Sequence, residues 1–152
     1  MYEEFGKQEC IVLIHCMAHA RRKFVIALPN DKQRGEHLLS EIQKLYAIER
    51  HIQEAAFSDD QKQAYRIANE KPIMVALKKW MLAAYQEVLP ISIIAKALHY
   101  SLRRWHRLSL YADTSILNID NNPVENSIRP VALGRKNYLF AGNHSTACSY
   151  VL

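Results

Sequence analysis

Apolar side chains recur every third or fourth position at Leu38, Ile42, Leu45, Ile48 and Ile52, which predicts one buried stripe along a helix of roughly residues 31–56. Ahead of it, residues 17–28 read as a helix stopped before Pro29, with Ala18, Phe24 and Leu28 at packing positions. Ser58 can cap a polar helix over 59–69. Pro72 can then open another helix, in which Ile73, Leu77, Trp80, Met81, Ala84 and Val88 share a face before Pro90 stops it. Ile94, Leu98, Leu102 and Trp105 define a further helix of about 92–111. Residues 2–7 read as the end of a helix, and the apolar, β-branched run 10–15 is the one good strand candidate. No internal repeat, low-complexity tract or Gly/Ser linker interrupts the pattern, so the chain reads as mainly α.

The densest local signal is DNNPVENSIRPVALGRKN, residues 120–137. Asn122 is a good N-cap, Pro123 occupies the first helical position where its missing N–H costs nothing, and Glu125 falls three residues after the cap. Two readings of Glu125 stay open. In one it closes a capping box that stabilises the helix start by about 1 kcal/mol; in the other it is a metal-binding carboxylate. Val124, Ile128 and Val131 share a face, and Glu125 and Arg129, four apart, project together from a neighbouring one. Pro130 shortens or kinks the helix and Gly134 can end it, with Leu139 and Phe140 in a turn or short extended piece beyond.

With 152 residues and 49% hydrophobic content the chain can bury about 70% of its unfolded surface and form one core. No apolar run is long enough to span a bilayer and no secretory signal is present, so membrane association is not expected and the cytoplasm is the default. Three cysteines without a framework spacing argue for thiols in a reducing compartment. The net charge of +5 is compatible with nucleic acid, and its distribution is more telling than its size. Arg21, Arg22 and Lys23 form one basic cluster, Arg103, Arg104 and Arg107 a second, and Arg129, Arg135 and Lys136 a third. Each is either a solvated helix face or a set of phosphate contacts.

Other chemistries find little support. Cys16 and His19 have C-x-x-H spacing, but structural zinc needs four ligands and the remaining histidines are scattered. Nothing orients Cys16 and His19 as an activated pair, and Ser and Thr lie in no nucleophile elbow. Four dispersed glycines form no phosphate-cradling loop, so no nucleotide partner is expected.

Several separated blocks point further: CMAHARRKF (16–24), LYAIER (45–50), Leu89 with Pro90, KALHYSLRRW (96–105) and IDNNPVENSIRPVALGRKNYLFAG (119–142). In order and spacing they resemble the insertion sequence 66 family of bacterial transposases over roughly residues 2–144. The resemblance implies a DDE-type enzyme with a ribonuclease-H-like core, in which two Asp and one Glu hold Mg²⁺ ions that activate the attacking and leaving oxygens of DNA strands. On that reading Glu125 is the catalytic and metal-binding Glu. Arg21, Arg22, Arg129, Arg135 and Lys136 would meet DNA, while Cys16, His19, Asp120, Asn121 and Asn122 would support the site.

Residues 1–28 and 119–152 would be pieces of the core, with one or two short strands, and 29–118 a multi-helix insertion. The family's two catalytic Asp would lie upstream, and the aspartates present, Asp31, Asp59, Asp60, Asp113 and Asp120, suit turns or helix starts. The expectation is a C-terminal transposase fragment, truncated at both ends and inactive alone. Asn126 and Met17 also replace residues usual in the family. The alternative is a noncatalytic helical module that binds DNA or another transposase subunit.

Overall fold

The computed structural model of the chain describes residues 15–120, and among them every regular element is a helix. α1 spans Met17–Ala27, α2 Lys32–Glu54, α3 Asp59–Glu87, α4 Ile93–Arg103 and α5 Trp105–Ser109, followed by a 3₁₀ turn at Leu110–Asp113. The strand candidate at 10–15, apart from its last residue, and the Glu125 segment lie outside the described residues, as does most of what was assigned to a ribonuclease-H-like core.

The helix starts follow from local chemistry. Asp31 accepts the Arg34 N–H at 3.0 Å and pairs with its guanidinium at 2.8 Å, and these bonds hold its carboxyl below the usual range. Ser58 and Gln61 form a reciprocal capping box at the start of α3, where Asp59 and Asp60 also suit the helix dipole. Ser92 caps α4 by accepting the Ala95 N–H at 3.2 Å. Asn30 Oδ1 accepts the Ile94 N–H at 3.1 Å, tying the α4 start to the α1–α2 turn. At the end of α2, Ala56 takes the left-handed conformation (φ 49°), and the Phe57 N–H returns to the Ile52 carbonyl in a Schellman-type turn.

Three expectations are corrected. Residues 59–87 form one helix that runs through Pro72 instead of two helices meeting there. Pro72 and Ala68, whose carbonyl loses its partner, are both exposed, so the missing bond falls where solvent can replace it. Buried residues continue on either side of it, Arg66 and Glu70 before, Met74, Leu77, Met81 and Ala84 after. Second, the helix expected over 92–111 breaks at Arg104, which leaves helical geometry (φ −105°, ψ 4°). Ile94, Leu98, Ser101, Trp105 and Leu108 are buried on both sides of the break, so apolar spacing could not reveal it. Third, the α2 stripe holds at Leu38, Ile42, Leu45 and Ile52, but the residue buried between the last two is Glu49, with Ile48 half-buried. In α1 the buried positions are Met17, Ala20, Phe24 and Ala27; Ala18 and Leu28 are half-buried.

One apolar core joins α1 to α5: Phe24, Leu45, Leu77, Met81, Leu98 and Leu108 are among its fully buried members. Each contributes about 1.5–3 kcal/mol relative to exposure. At one end of this core the interior turns polar. Arg66 is fully buried; its Nε and Nη2 meet the two oxygens of Glu49 at 2.6 and 2.7 Å, a bidentate pair between α3 and α2. Its Nη1 donates to the carbonyls of Tyr111, Thr114 and Leu117 at 2.8, 2.6 and 2.9 Å, which fixes the chain leaving the 3₁₀ turn. The guanidinium also lies 5.3 Å from the Tyr111 ring centre.

Glu70, one turn beyond Arg66, is buried too, and neither of its oxygens meets a partner in hydrogen-bond geometry among the described residues. Burial, then the Glu49 charge beside it, push its carboxyl up to about 8. The cluster therefore favours Glu70 as a neutral acid beside the Arg66–Glu49 pair.

Removing the cation strands the Glu49 charge in the interior, so Arg66→Met should cost about 3–5 kcal/mol, read as a lowered urea midpoint. The Glu70 carboxyl takes up a proton on folding between its unfolded value of 4.5 and its folded value of about 8. The folded state then binds more protons than the unfolded one, so stability falls as pH rises across that window. Glu70→Gln should flatten this decline and leave the variant more stable than the parent above pH 8; an unchanged pH profile would refute the assignment.

Candidate functional site

Of the described residues expected at a functional site, Cys16, Arg21 and Asp120 come together where the chain enters and leaves the helical body, while His19 and Arg22 are exposed on α1. Cys16, extended at φ −81° and ψ 127°, is the N-cap of α1, and the first α1 amide, Met17, donates to the Ile119 carbonyl at 3.0 Å. His15 N–H reaches the Arg107 carbonyl at 3.4 Å. Ile119 is itself buried in the common core. These bonds set residues 15–17 beside residue 119.

Tyr46 of α2 sits against this junction. Burial, and next the Asp120 carboxylate, push its hydroxyl well above the ordinary range, while Arg21 opposes them. Cys16, Asp120 and Arg21 are thus brought together around one phenol, which sequence reasoning did not single out. Tyr46 does fall inside LYAIER, one of the blocks that carry the family resemblance, and so does Glu49. His19 lies on the exposed side of α1, with its N–H turned back to the Cys16 carbonyl at 3.2 Å. Cys16 is buried, and the C-x-x-H pair does not present two ligands on one exposed face.

Among the described residues no three His, Cys, Asp or Glu side chains are placed to hold a metal ion. Four of the five described aspartates serve the backbone or ion pairs: Asp31 caps α2, Asp59 and Asp60 open α3, and Asp113 pairs with Lys71. Glu125, Arg129, Arg135, Lys136, Asn121 and Asn122 lie outside the described residues.

The first two basic clusters meet. α1 packs against α4, and Lys23 Nζ stands 5.6 Å from the centre of the Tyr100 ring, while Arg104 Cζ stands 4.3 Å from it. Tyr100 therefore holds one cation from each cluster, at about 0.5–1 kcal/mol per contact. Arg21, two residues before Lys23, lies on nearly the opposite side of α1 and acts electrostatically on Tyr46 of α2. No described helix is long and apolar enough to cross a membrane.

Comparison with known proteins agrees with the blocks in the sequence. The family model described as "Transposase IS66 family" matches residues 1–149. The chain is 37% identical over 133 residues to the uncharacterized protein y4jD of Sinorhizobium fredii (strain NBRC 101917 / NGR234), covering 86% of this chain and 25% of that protein. It is 30% identical over 141 residues to y4qI of the same strain, covering 91% of this chain and 25% of that protein. To y4hP it is 29% identical over 150 residues, 90% of this chain and 27% of the relative. The chain spans about a quarter of the length of the curated relatives it matches. No solved structure matches it.

The junction should be sensitive to its one apolar anchor. Ile119→Ala should cost about 2–5 kcal/mol and speed hydrogen exchange at the Met17 amide, which bonds to residue 119, more than at amides in the middle of α3. Equal acceleration at both places would show that residue 119 does not clasp the α1 start.

Proposed function

The chain belongs to the IS66 family of transposases, and from that premise we propose that it is the C-terminal part of a DDE-type transposase: a helical insertion followed by the helix that carries the catalytic Glu. The observation that carries this reading is the bond between Met17 and Ile119, 3.0 Å long, at the two ends of the helical body, which takes in residues 17–28 beyond the expected insertion of 29–118 because α1 shares its core. An element inserted into a host domain must leave it and return at neighbouring points, and a chain that enters and exits side by side meets that condition. The residues that follow, 119–142, are the block that includes Glu125.

In this reading the work is divided. Glu125 serves in the full-length parent as one of three carboxylates toward Mg²⁺, which would activate the attacking oxygen and stabilise the leaving one during DNA cleavage and strand transfer. The helices, in this reading, position and hold DNA, and the metal chemistry belongs to Glu125 with its partner carboxylates. Asp120, facing Tyr46 at the exit of the body, would brace the turn that leads toward Glu125.

In a full-length parent carrying this segment, Glu125→Gln should lower transposition of a marked element by at least about 100-fold, since loss of even an outer-shell partner of a metal ligand costs about 10–100-fold. The 152-residue chain alone, given Mg²⁺ and supercoiled plasmid, should produce no nicks. Nicking that disappears in Glu125→Gln would overturn the division of labour, and normal transposition by the Glu125→Gln parent would overturn the catalytic assignment.

A further inference from the structure

Charge is not spread evenly over the helical body. α1 carries Arg21, Arg22 and Lys23, α4 carries Lys96 and Arg103, and α5 carries Arg107, and none of the three contains an Asp or Glu. α2 and α3 interleave both signs, with Glu36, Glu41, Glu54, Asp59, Asp60 and Glu87 among their carboxylates. On α2 and α3 the cations are partly matched within the fold: Lys32, Arg34, Lys44, Arg66 and Lys71 each pair with a carboxylate. Like charges gathered on packed helices repel one another and cost folding stability, a cost that an external polyanion removes.

The meeting point of the acid-free helices is Tyr100. Lys23 from α1 and Arg104 from the end of α4 both lie on its ring, at 5.6 and 4.3 Å, while Lys96 and Arg103, one turn to either side of Tyr100 on α4, are exposed. The ring holds two long cationic side chains in place before any ligand arrives, which lowers the entropy lost when they bind.

We propose that the surface where α1 meets α4, centred on Tyr100 between Lys23 and Arg104, binds the phosphate backbone of duplex DNA. The inference rests on the transposase reading for the identity of the polyanion. It goes beyond that reading by placing a DNA contact on the helical body, apart from the segment of Arg129, Arg135 and Lys136. Contacts of this kind fix position and carry little sequence information. If about four phosphates are neutralised, affinity should fall about 100-fold between about 50 and 200 mM salt.

The test is fluorescence anisotropy of the 152-residue chain with a short labelled duplex at those two salt concentrations, with folding checked by circular dichroism. The double variant Lys23→Glu/Arg103→Glu should bind at least about tenfold more weakly and with a shallower salt dependence. The control Lys78→Glu/Lys79→Glu, at exposed positions of α3, should lose less than about twofold, since without phosphate contacts it changes only the distant field. Should the first variant fail to fold, the single variant Lys96→Glu, one turn from Tyr100, reads the same surface with a smaller loss of about threefold or more. Equal losses in the α1/α4 and α3 variants, no binding by the parent chain, or binding to phosphatidylserine vesicles without binding to duplex would each overturn the proposal. If DNA binding ignores this surface while Glu125→Gln abolishes transposition, the surface is wrong and the transposase reading stands. If binding maps here while the Glu125→Gln parent transposes normally, the opposite holds.

Discussion

The helical body depends on a guanidinium that has no access to water. Arg66 joins α3 to α2 through both oxygens of Glu49 and holds the carbonyls of Tyr111, Thr114 and Leu117 with its remaining nitrogen. A buried pair of this kind adds little net stability compared with apolar residues of the same volume, because desolvation offsets most of the attraction. What it does here is choose a single path for an irregular segment. Residues 111–117 contain no long helix to organise them, and their backbone acceptors would otherwise be left unsatisfied on the way out of the core. Once that path is fixed, Ile119 reaches the core and its carbonyl meets the start of α1.

Much of the scaffold was legible in the sequence where a single residue type has a single local role. Ser58 as a cap, Asp31, Asp59 and Asp60 at helix starts, and the Leu38, Ile42, Leu45, Ile52 stripe all stand where their chemistry places them. The failures share a cause: tertiary partners that override a local rule. A proline suggests a boundary, but in α3 buried residues on both sides keep the helix continuous. A polar stretch suggests a solvated helix, yet Arg66 and Glu70 are at its heart. The spacing did contain a hint, because Leu38, Ile42, Leu45, Glu49 and Ile52 alternate steps of four and three more regularly than a stripe through Ile48. A carboxylate on such a stripe requires a buried cation, and that cation had to be found elsewhere in the chain.

The candidate site was legible to a different degree. Cys16 and Arg21 were nominated from one block and Asp120 from another about a hundred residues on, and the fold brings them near Tyr46. Tyr46 and Tyr100 were missed because a tyrosine among apolar residues reads as core, whereas each here is a half-buried ring that organises charged neighbours. Arg21 and Arg22, adjacent in sequence, were grouped as one cluster, but neighbours on a helix point about 100° apart. It is Lys23, not Arg21, that joins the second cluster across Tyr100. Glu125 remains a reading of sequence and family alone.

The bond between Met17 and Ile119 has a consequence for whatever sequence flanks the body. Closing a flexible loop costs entropy that grows with the logarithm of its length, so an unstructured excursion from residue 17 to residue 119 would tax the flanking chain heavily at the moment its two sides come together. Because the excursion folds on itself and returns within one hydrogen bond of its start, the flanking chain experiences it as a tight turn. Helices can then be lengthened, recharged or exchanged inside the body without altering the separation of its two ends, which leaves surface chemistry free to diverge while the junction stays fixed.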